Sequence, residues 1–360
     1  MGITIGVIGC GHWGKNHAKT LTILREEKAI DNFVICDINS ARAKKVADYY
    51  NVGWCTNPLD LVNIYNVDAV TIATPTTTHT ELSITFLNAG IDVLVEKPMA
   101  LDVDDAERMI KCSKLNNRIL AVGHPLRYHK PLREAISLAR NGHLGSLQSI
   151  ECERLSVREP RTDTGVIASL AIHDLDICLM LFGERNPLRI NSLSLPSNIE
   201  GIEDYAVIQL EFPSGENDPN STINANLTSS WRSRLKGKVR STRIHGQDAS
   251  IDIDTSRHDG FFIHHHPSTL VEGKTPFLKS PGQWIPVKDG EPSLTSELRA
   301  FANACISRTT EQLFATAEIC LPATKLVALA KQASKQSTPL ELDQDFSQYS
   351  IATPVSPKTW

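Results

Sequence analysis

A doubly wound α/β domain followed by a second α/β domain on a large, mostly antiparallel open sheet is the fold that the sequence predicts. Three observations carry it. Over residues 1–124, short and near-continuously apolar runs alternate with helix-patterned stretches, as in a parallel sheet covered on both faces. A glycine cluster stands directly between the first apolar run and the first helical stretch. From residue 147 onward, apolar and polar residues alternate with period two, as in antiparallel strands with one face buried. The 360 residues, 41% of them hydrophobic, suffice for two packed cores. The expected divisions are 1–124, 125–340 and a polar tail over 341–360.

In order, ITIGVIG (3–9) reads as a strand, with a helix from about His12 to Lys28. FVICD (33–37) is the second strand, and Ser40 is a fitting N-cap for ARAKKVADYY. WCT (54–56) and LDLVNIY supply a short strand and a short helix. DAVTIATP (68–75) is a strand, and HTELSITFLNAG a helix closed by glycine. IDVLVEKP (91–98) is a strand that ends on a glutamate, a lysine and a proline. DVDDAERMIKCSKLNN is a helix with acids in its first turn, where the helix dipole favours them. RILAVGH (118–124) completes the first sheet. In the second domain, 147–155, 203–212, 222–231, 238–246 and 249–254 are strands. Residues 255–292, rich in His, Pro and Gly, read as an irregular excursion with a strand near QWIPV. SELRAFANACIS and the stretch from Glu311 to Gln336 are helical. The internal His264-His265-His266 has no partner carboxylates or thiols in its loop, so no metal site is assigned.

Gly9-Cys10-Gly11-His12-Trp13-Gly14 is a G-x-G-x-x-G set after a strand and before a helix. Glycines there permit a tight turn and bring backbone amides close to a pyrophosphate at the helix N-terminus. Asp37 ends the second strand, in place to accept hydrogen bonds from the ribose hydroxyls of a dinucleotide and to repel a 2′-phosphate. The Rossmann pattern therefore predicts NAD as cofactor, with Arg42 and Lys45 nearby keeping NADP as the alternative. Ligands of such sheets bind at the carboxyl ends of the strands, and Glu96 and Lys97 stand at one.

The net charge of −4 and the pI near 6.3 offer no basic field for nucleic acid or an anionic membrane. The eight cysteines include no CxxC pair and read as buried free thiols of a reducing compartment. The opening strand shows no signal-peptide pattern, and no apolar run reaches the length of a membrane span. The expectation is a cytoplasmic protein.

ATPTTTHTELSITFLNAGIDVLVEKPMALDVDDAERMI, VGHPLRYHKPL (122–132) and IHDLDICLMLFGE (172–184) resemble the glucose–fructose oxidoreductase/inositol dehydrogenase (Gfo/Idh/MocA) family. The resemblance covers most of residues 1–185. It implies an NAD(P)-dependent enzyme that passes a hydride between nicotinamide and a secondary hydroxyl of a sugar, cyclitol or nucleotide sugar. It places Lys97 at the reacting hydroxyl and the nicotinamide ribose, with a cis Lys97–Pro98 bond, and makes His173 the acid/base. A half-buried ammonium beside a positive nicotinamide should have a lowered pKa, which suits proton transfer. Asp176, three residues after His173, shares its face and could hold the imidazole in one tautomer. Cofactor contacts are expected along Gly9, Gly11, His12, Trp13, Gly14, Asp37, Arg42, Thr74, Pro75, His79, Glu96 and Lys97.

Many inositol-dehydrogenase-type members carry an aspartate four residues before the histidine, where this chain has Ser169. HDLD and GHPLRY look more like nucleotide-sugar 3-dehydrogenases, so Arg127, Tyr128, Arg154 and Asp174 become candidates for substrate contact. Arg158 and Arg161 either meet a phosphate or carboxylate or form a solvated basic loop. The resemblance also implies a homodimer or homotetramer formed through the second sheet. Three other readings stay open: an inositol or free-sugar dehydrogenase, an NAD-dependent glycosidase and a non-catalytic NAD-binding regulator.

Overall fold

The computed structural model describes residues 2–183, 185–214, 221–235, 237–266, 282–288 and 290–342. The middle of the 255–292 excursion, residues 267–281, and the tail from residue 343 lie outside them. The chain forms two compact units, Met1–Tyr128 with Pro292–Thr324 and His129–Glu291 with Lys325–Trp360.

The first unit opens with β1 (Thr4–Ile8), α1 (His12–Glu26), β2 (Asn32–Cys36), α2 (Ser40–Tyr50), β3 (Gly53–Cys55) and α3 (Asp60–Asn63). It continues with β4 (Ala69–Ile72), α4 (His79–Asn88), β5 (Asp92–Glu96), α5 (Val103–Leu115) and β6 (Leu120–Gly123). The sheet order is β3-β2-β1-β4-β5-β6 and every pair is parallel. The strands are short and apolar because both faces are covered: β4 and β6 are buried along their whole length. The order reverses between β1 and β4, which opens the crevice where such folds bind dinucleotides. One expectation needs correction. The N-cap of α2 is Asn39, whose extended backbone lets its side chain accept the Arg42 N–H, while Ser40 is the first helical residue.

The second unit contains α6 (Lys130–Arg140), β7 (Leu147–Leu155), α7 (Ile172–Phe182), β8 (Arg189–Pro196) and β9 (Glu203–Pro213). It goes on through β10 (Thr222–Ser230), β11 (Val239–Gly246), β12 (Ala249–Asp254), β13 (Gly260–His265) and β14 (Gln283–Pro286). Along the chain there follow α8 (Ser293–Ser307), which belongs to the first unit, α9 (Ala317–Gln336), whose residues up to Thr324 also do, and β15 (Leu340–Glu341) of the second unit. The order is β14-β13-β12-β11-β7-β10-β9-β8-β15, antiparallel except for β7 beside β10. The strands β8 and β13 are absent from the sequence reading. In β8, Leu193 and Leu195 point to solvent while Ser192 is buried, which inverts the usual pattern. In β13, Phe261 is buried and its neighbour Phe262 exposed, so adjacent aromatics serve opposite faces. Residues 260–265 are therefore strand, and His264 and His265 lie in it.

Pro292–Thr324 belongs to the first unit, whereas the sequence reading runs the second domain unbroken over 125–340. Leu298, Phe301, Ala302 and Cys305 of α8 join the core formed by α1, β1 and β2. The segment before α9 adds Val122 N–H to Ala315 O at 2.9 Å and a bridge from Thr316 to Ala121, so the helix expected from Glu311 begins at Ala317. Among the described residues no helix is long and apolar enough to cross a membrane.

Candidate functional site

At the carboxyl end of β1 the chain turns at Gly9, whose φ of 92° is left-handed. A Cβ at Gly14 would stand 1.7 Å from Gly9 O, so only glycine lets α1 start so close to the strand. Gly11 has open space on its Cα, and no side chain caps the first amides of α1. This loop therefore fits a phosphate: unspent N–H groups, no Cβ in the way and the positive end of a helix. His12 is exposed and Trp13 half-buried, with their rings edge-on at 5.8 Å. Cys10 is buried, and burial together with the charge of Asp37 pushes its thiol up to about 12, so it is no nucleophile at neutral pH.

Asp37 follows β2 and is nearly buried. Its Oδ2 accepts the Cys10 N–H at 2.7 Å and its Oδ1 the Asn39 N–H at 2.8 Å. Arg42 Nη1 stands 3.3 Å from the same Oδ2. The carboxylate is thus fixed at the edge of the glycine loop with a guanidinium beside it.

Thr74 and Pro75 follow β4, and Thr78 Oγ1 donates to Thr74 Oγ1 at 2.7 Å. His79 is buried, with Nδ1 3.0 Å from Pro98 O and Nε2 3.1 Å from Thr74 O. It ties the turn after β4 to the turn after β5 rather than opening toward a ligand. The Lys97–Pro98 bond is cis. Glu96 is buried and its Oε1 lies 2.9 Å from Nε2 of the buried His17. Burial pushes the Glu96 carboxyl up, but the His17 hydrogen bond and the charges of His17, Lys97 and His79 outweigh it and hold it below the usual range. Lys97 is half-buried at the strand end.

Two candidates for substrate contact are occupied within the first unit. Arg127 donates to Phe314 O at 3.3 Å and Ile319 O at 3.5 Å. Tyr128 is buried, its ring tilted against Phe314 at 5.4 Å. The cause is the return of residues 292–324, which the sequence reading assigns elsewhere.

In the second unit, α7 carries His173 half-buried and Asp176 buried one turn on. A π-turn over Ile167–Ala171 leads into the helix, and Ser169 Oγ lies 2.8 Å from Thr164 Oγ1. Such turns insert one residue per turn and cluster at functional sites. Asp174 and Arg154 form a buried bidentate pair, with Nη2 to Oδ1 at 2.7 Å and Nε 3.1 Å from both oxygens. Each meets the other's charge internally, so neither presents an unneutralised charge to a substrate. Arg161 pairs with Asp163, and Arg158 lies 5.2 Å over Trp231.

His17 and Glu297 are the polar residues that the sequence reading misses. Glu297 is buried, and burial, with the charge of Glu96, holds its carboxyl well above the usual range. A signal existed. His17 lies among the buried Gly14, Ala18, Leu21 and Leu24 of α1, and Glu297 is four residues from Phe301 on the apolar stripe of α8.

Residues 3–124 match the family described as "Oxidoreductase family, NAD-binding Rossmann fold", and residues 137–342 its "C-terminal alpha/beta domain". The chain is 30% identical over 300 residues to the UDP-N-acetylglucosamine 3-dehydrogenase of Acidithiobacillus ferrooxidans, covering 83% of this chain and 87% of that protein. It is 28% identical to the myo-inositol 2-dehydrogenase of Thermotoga maritima, covering 81% of this chain and 90% of that one. A solved structure of the Acidithiobacillus enzyme superposes with a TM-score of 0.75 at 27% identity, over 93% of this chain and 98% of that one. The NAD complex of GenD2 from gentamicin A biosynthesis shares the fold at a TM-score of 0.75 and 19% identity, over 95% and 96%. With both domains matched, the chain belongs to the Gfo/Idh/MocA oxidoreductase family.

Proposed function

We propose that the chain is an NAD-dependent dehydrogenase that oxidises a ring secondary hydroxyl of a nucleotide sugar of the UDP-N-acetylhexosamine class, at the 3-position. The observation that carries the reaction class is Lys97, which follows β5 at the ligand-binding edge of the sheet that also holds the glycine loop. The substrate class rests on the likeness to UDP-N-acetylglucosamine 3-dehydrogenase. Ser169, where inositol-type members carry aspartate, further favours a nucleotide sugar over a cyclitol. NAD is preferred over NADP because Asp37 would face a 2′-phosphate with a carboxylate.

The glycine loop and the amides of α1 hold the pyrophosphate, and Asp37 the adenosine ribose. When bound, NAD supplies the hydride acceptor. Lys97 is assigned to the reacting hydroxyl, where its ammonium stabilises the oxygen as negative charge develops. His173 takes the hydroxyl proton, and Asp176 holds the imidazole in one tautomer.

NADH absorbance, followed with UDP-sugars, free hexoses, amino sugars and inositols, tests the reading. Signal with a UDP-N-acetylhexosamine that is lost in Lys97→Ala is the expected result. Signal with inositols or free sugars alone sinks the nucleotide assignment. NAD binding with no turnover on any of them points to a regulator or a glycosidase without net redox change.

A further inference from the structure

Residues aligned across two parallel strands leave the sheet on the same face. Cys36 ends β2 and Cys55 ends β3, and the two are register partners. Both enter the core on one side of the first sheet, with Val34 and with Leu61 of α3. Neighbouring strands lie about 4.8 Å apart, so the two Cα atoms fall within the roughly 4.4–6.8 Å that a disulfide spans. Cys10, the third thiol at this end of the sheet, belongs to the core on the other face.

The two side chains share a hydrogen bond. That bond, and then burial, pushes the Cys36 thiol up, while the same bond lowers Cys55 against burial and the charge of Asp60. Cys55 therefore gives up its proton first and Cys36 keeps its own, which sets a nucleophilic sulfur beside a resolving thiol. A second pair of neighbouring thiols, Cys152 and Cys178, lacks this asymmetry, since burial raises both. Access comes from the sheet edge. β3 is the outermost strand, three residues long, and among the described residues it pairs with β2 alone. An edge strand held by so few rungs opens locally at low cost. Cys55 is already 7% exposed, against 1% for Cys36.

We propose that Cys36 and Cys55 are a dithiol that hydrogen peroxide oxidises to a disulfide across β2 and β3. The Cys55 thiolate attacks one peroxide oxygen. An S–O bond forms as the O–O bond breaks, and the departing hydroxide is neutralised by the proton that Cys55 has given up. The Cys36 sulfur then attacks the Cys55 sulfenic acid. The S–S bond forms, the S–O bond breaks, and the hydroxyl leaves as water with the Cys36 proton. Two thiols and one peroxide thus give a disulfide and two waters, with two electrons passing from sulfur to oxygen. The bond fixes the strand end from which Asp37 follows, whose N–H already donates to Cys55 O at 3.3 Å. It needs no dinucleotide, so it stands or falls independently of the dehydrogenase reading.

The reduced full chain is exposed to hydrogen peroxide, its remaining thiols are alkylated, and the digested peptides are weighed. The expected result is a linked peptide joining Cys36 to Cys55 that dithiothreitol separates. Cys36→Ser should lose the link and leave at Cys55 a sulfenic acid that dimedone traps. Cys55→Ser should lose it and leave Cys36 open to alkylation. Circular dichroism checks that each variant is folded, and where one is not, the wild-type peptide map decides alone. Both thiols still alkylated after free cysteine in the same tube has been oxidised would overturn the proposal. So would a link made through Cys10, or sulfinic acid at Cys55 with Cys36 still reduced.

Discussion

The imidazole of His17 meets the carboxylate of Glu96 at 2.9 Å, with both side chains out of water. The contact joins the buried face of α1 to the last residue of β5, one position before Lys97. Because the Glu96 carboxyl is held below its usual range, it is charged at neutral pH and depends on this partner. His17→Leu should cost about 3–5 kcal/mol by leaving a buried charge unpaired, read as a lower urea midpoint. Adding Glu96→Met should restore most of the loss, and a double variant as unstable as the single one would refute the coupling.

Asp37 decides which dinucleotide the loop accepts. In Asp37→Ser the carboxylate no longer faces a 2′-phosphate, and Arg42, now 3.3 Å from Asp37 Oδ2, is released to meet one. The ratio of NADP to NAD affinity should rise by about tenfold or more, measured by cofactor fluorescence titration. An unchanged ratio would remove Asp37 from the cofactor site.

Lys97→Met should lower kcat by about 10²–10⁴-fold, the range of a lost acid–base or charge-stabilising group. The unfolding midpoint should move little, since Lys97 is half-buried at a strand end. A variant with normal turnover would take the lysine out of the chemistry.

Acid should loosen the second unit through His129. Its Nδ1 accepts the Leu132 N–H as the N-cap of α6, and its Nε2 lies 2.7 Å from Arg257 O, so the neutral ring satisfies both. Burial, then the charge of His258, lowers its pKa to about 4. The unfolded ring takes up a proton near pH 6.5 and the folded ring only near 4, so this contribution is full above 6.5 and lost as pH falls through that window. The loss amounts to about 3 kcal/mol. His129→Asn keeps a capping side chain and should flatten the profile of urea midpoint against pH.

Glu297 acts at the other end of the scale. Burial first, and then the charge of Glu96, raises its folded pKa well above 4.5. The unfolded carboxyl gives up its proton near 4.5 while the folded one keeps it. Stability is therefore whole below that pH and declines above it, by up to about 1.4 kcal/mol per pH unit, until the folded group ionises. Glu297→Gln should remove the decline and raise the urea midpoint at pH 8 above wild type. An equal midpoint would mean that the carboxyl is ionised and paired in the folded state.

The first sheet was legible because strands buried on both faces write themselves as unbroken apolar runs. The positions of the glycine loop, Asp37 and Lys97 were legible because each directly follows an apolar strand run, and a strand end is where the roles proposed for them would be exercised. What escaped was long-range. Arg127 looked like a pocket residue by type, yet its acceptor, Phe314 O, lies 187 positions away. Arg154 and Asp174 each looked available, and only folding brings one to neutralise the other. The amphipathic stripe of α8 announces a helix without saying which sheet it covers. The strands β8 and β13 hide because their apolar residues do not all face one way.

The return of Pro292–Thr324 to the first unit also orders events in time. A nascent chain released as far as residue 128 has every strand of the parallel sheet but lacks Leu298, Phe301 and Leu313, which complete the core against α1. That surface waits uncovered through synthesis of the second sheet from β7 to β14, every strand of it but β15. Domain-by-domain folding from the amino terminus therefore cannot finish here. The dinucleotide-binding half is sealed only after residues 129–291 of the other unit have been made, and a fragment ending near residue 128 should be sticky and bound by chaperones.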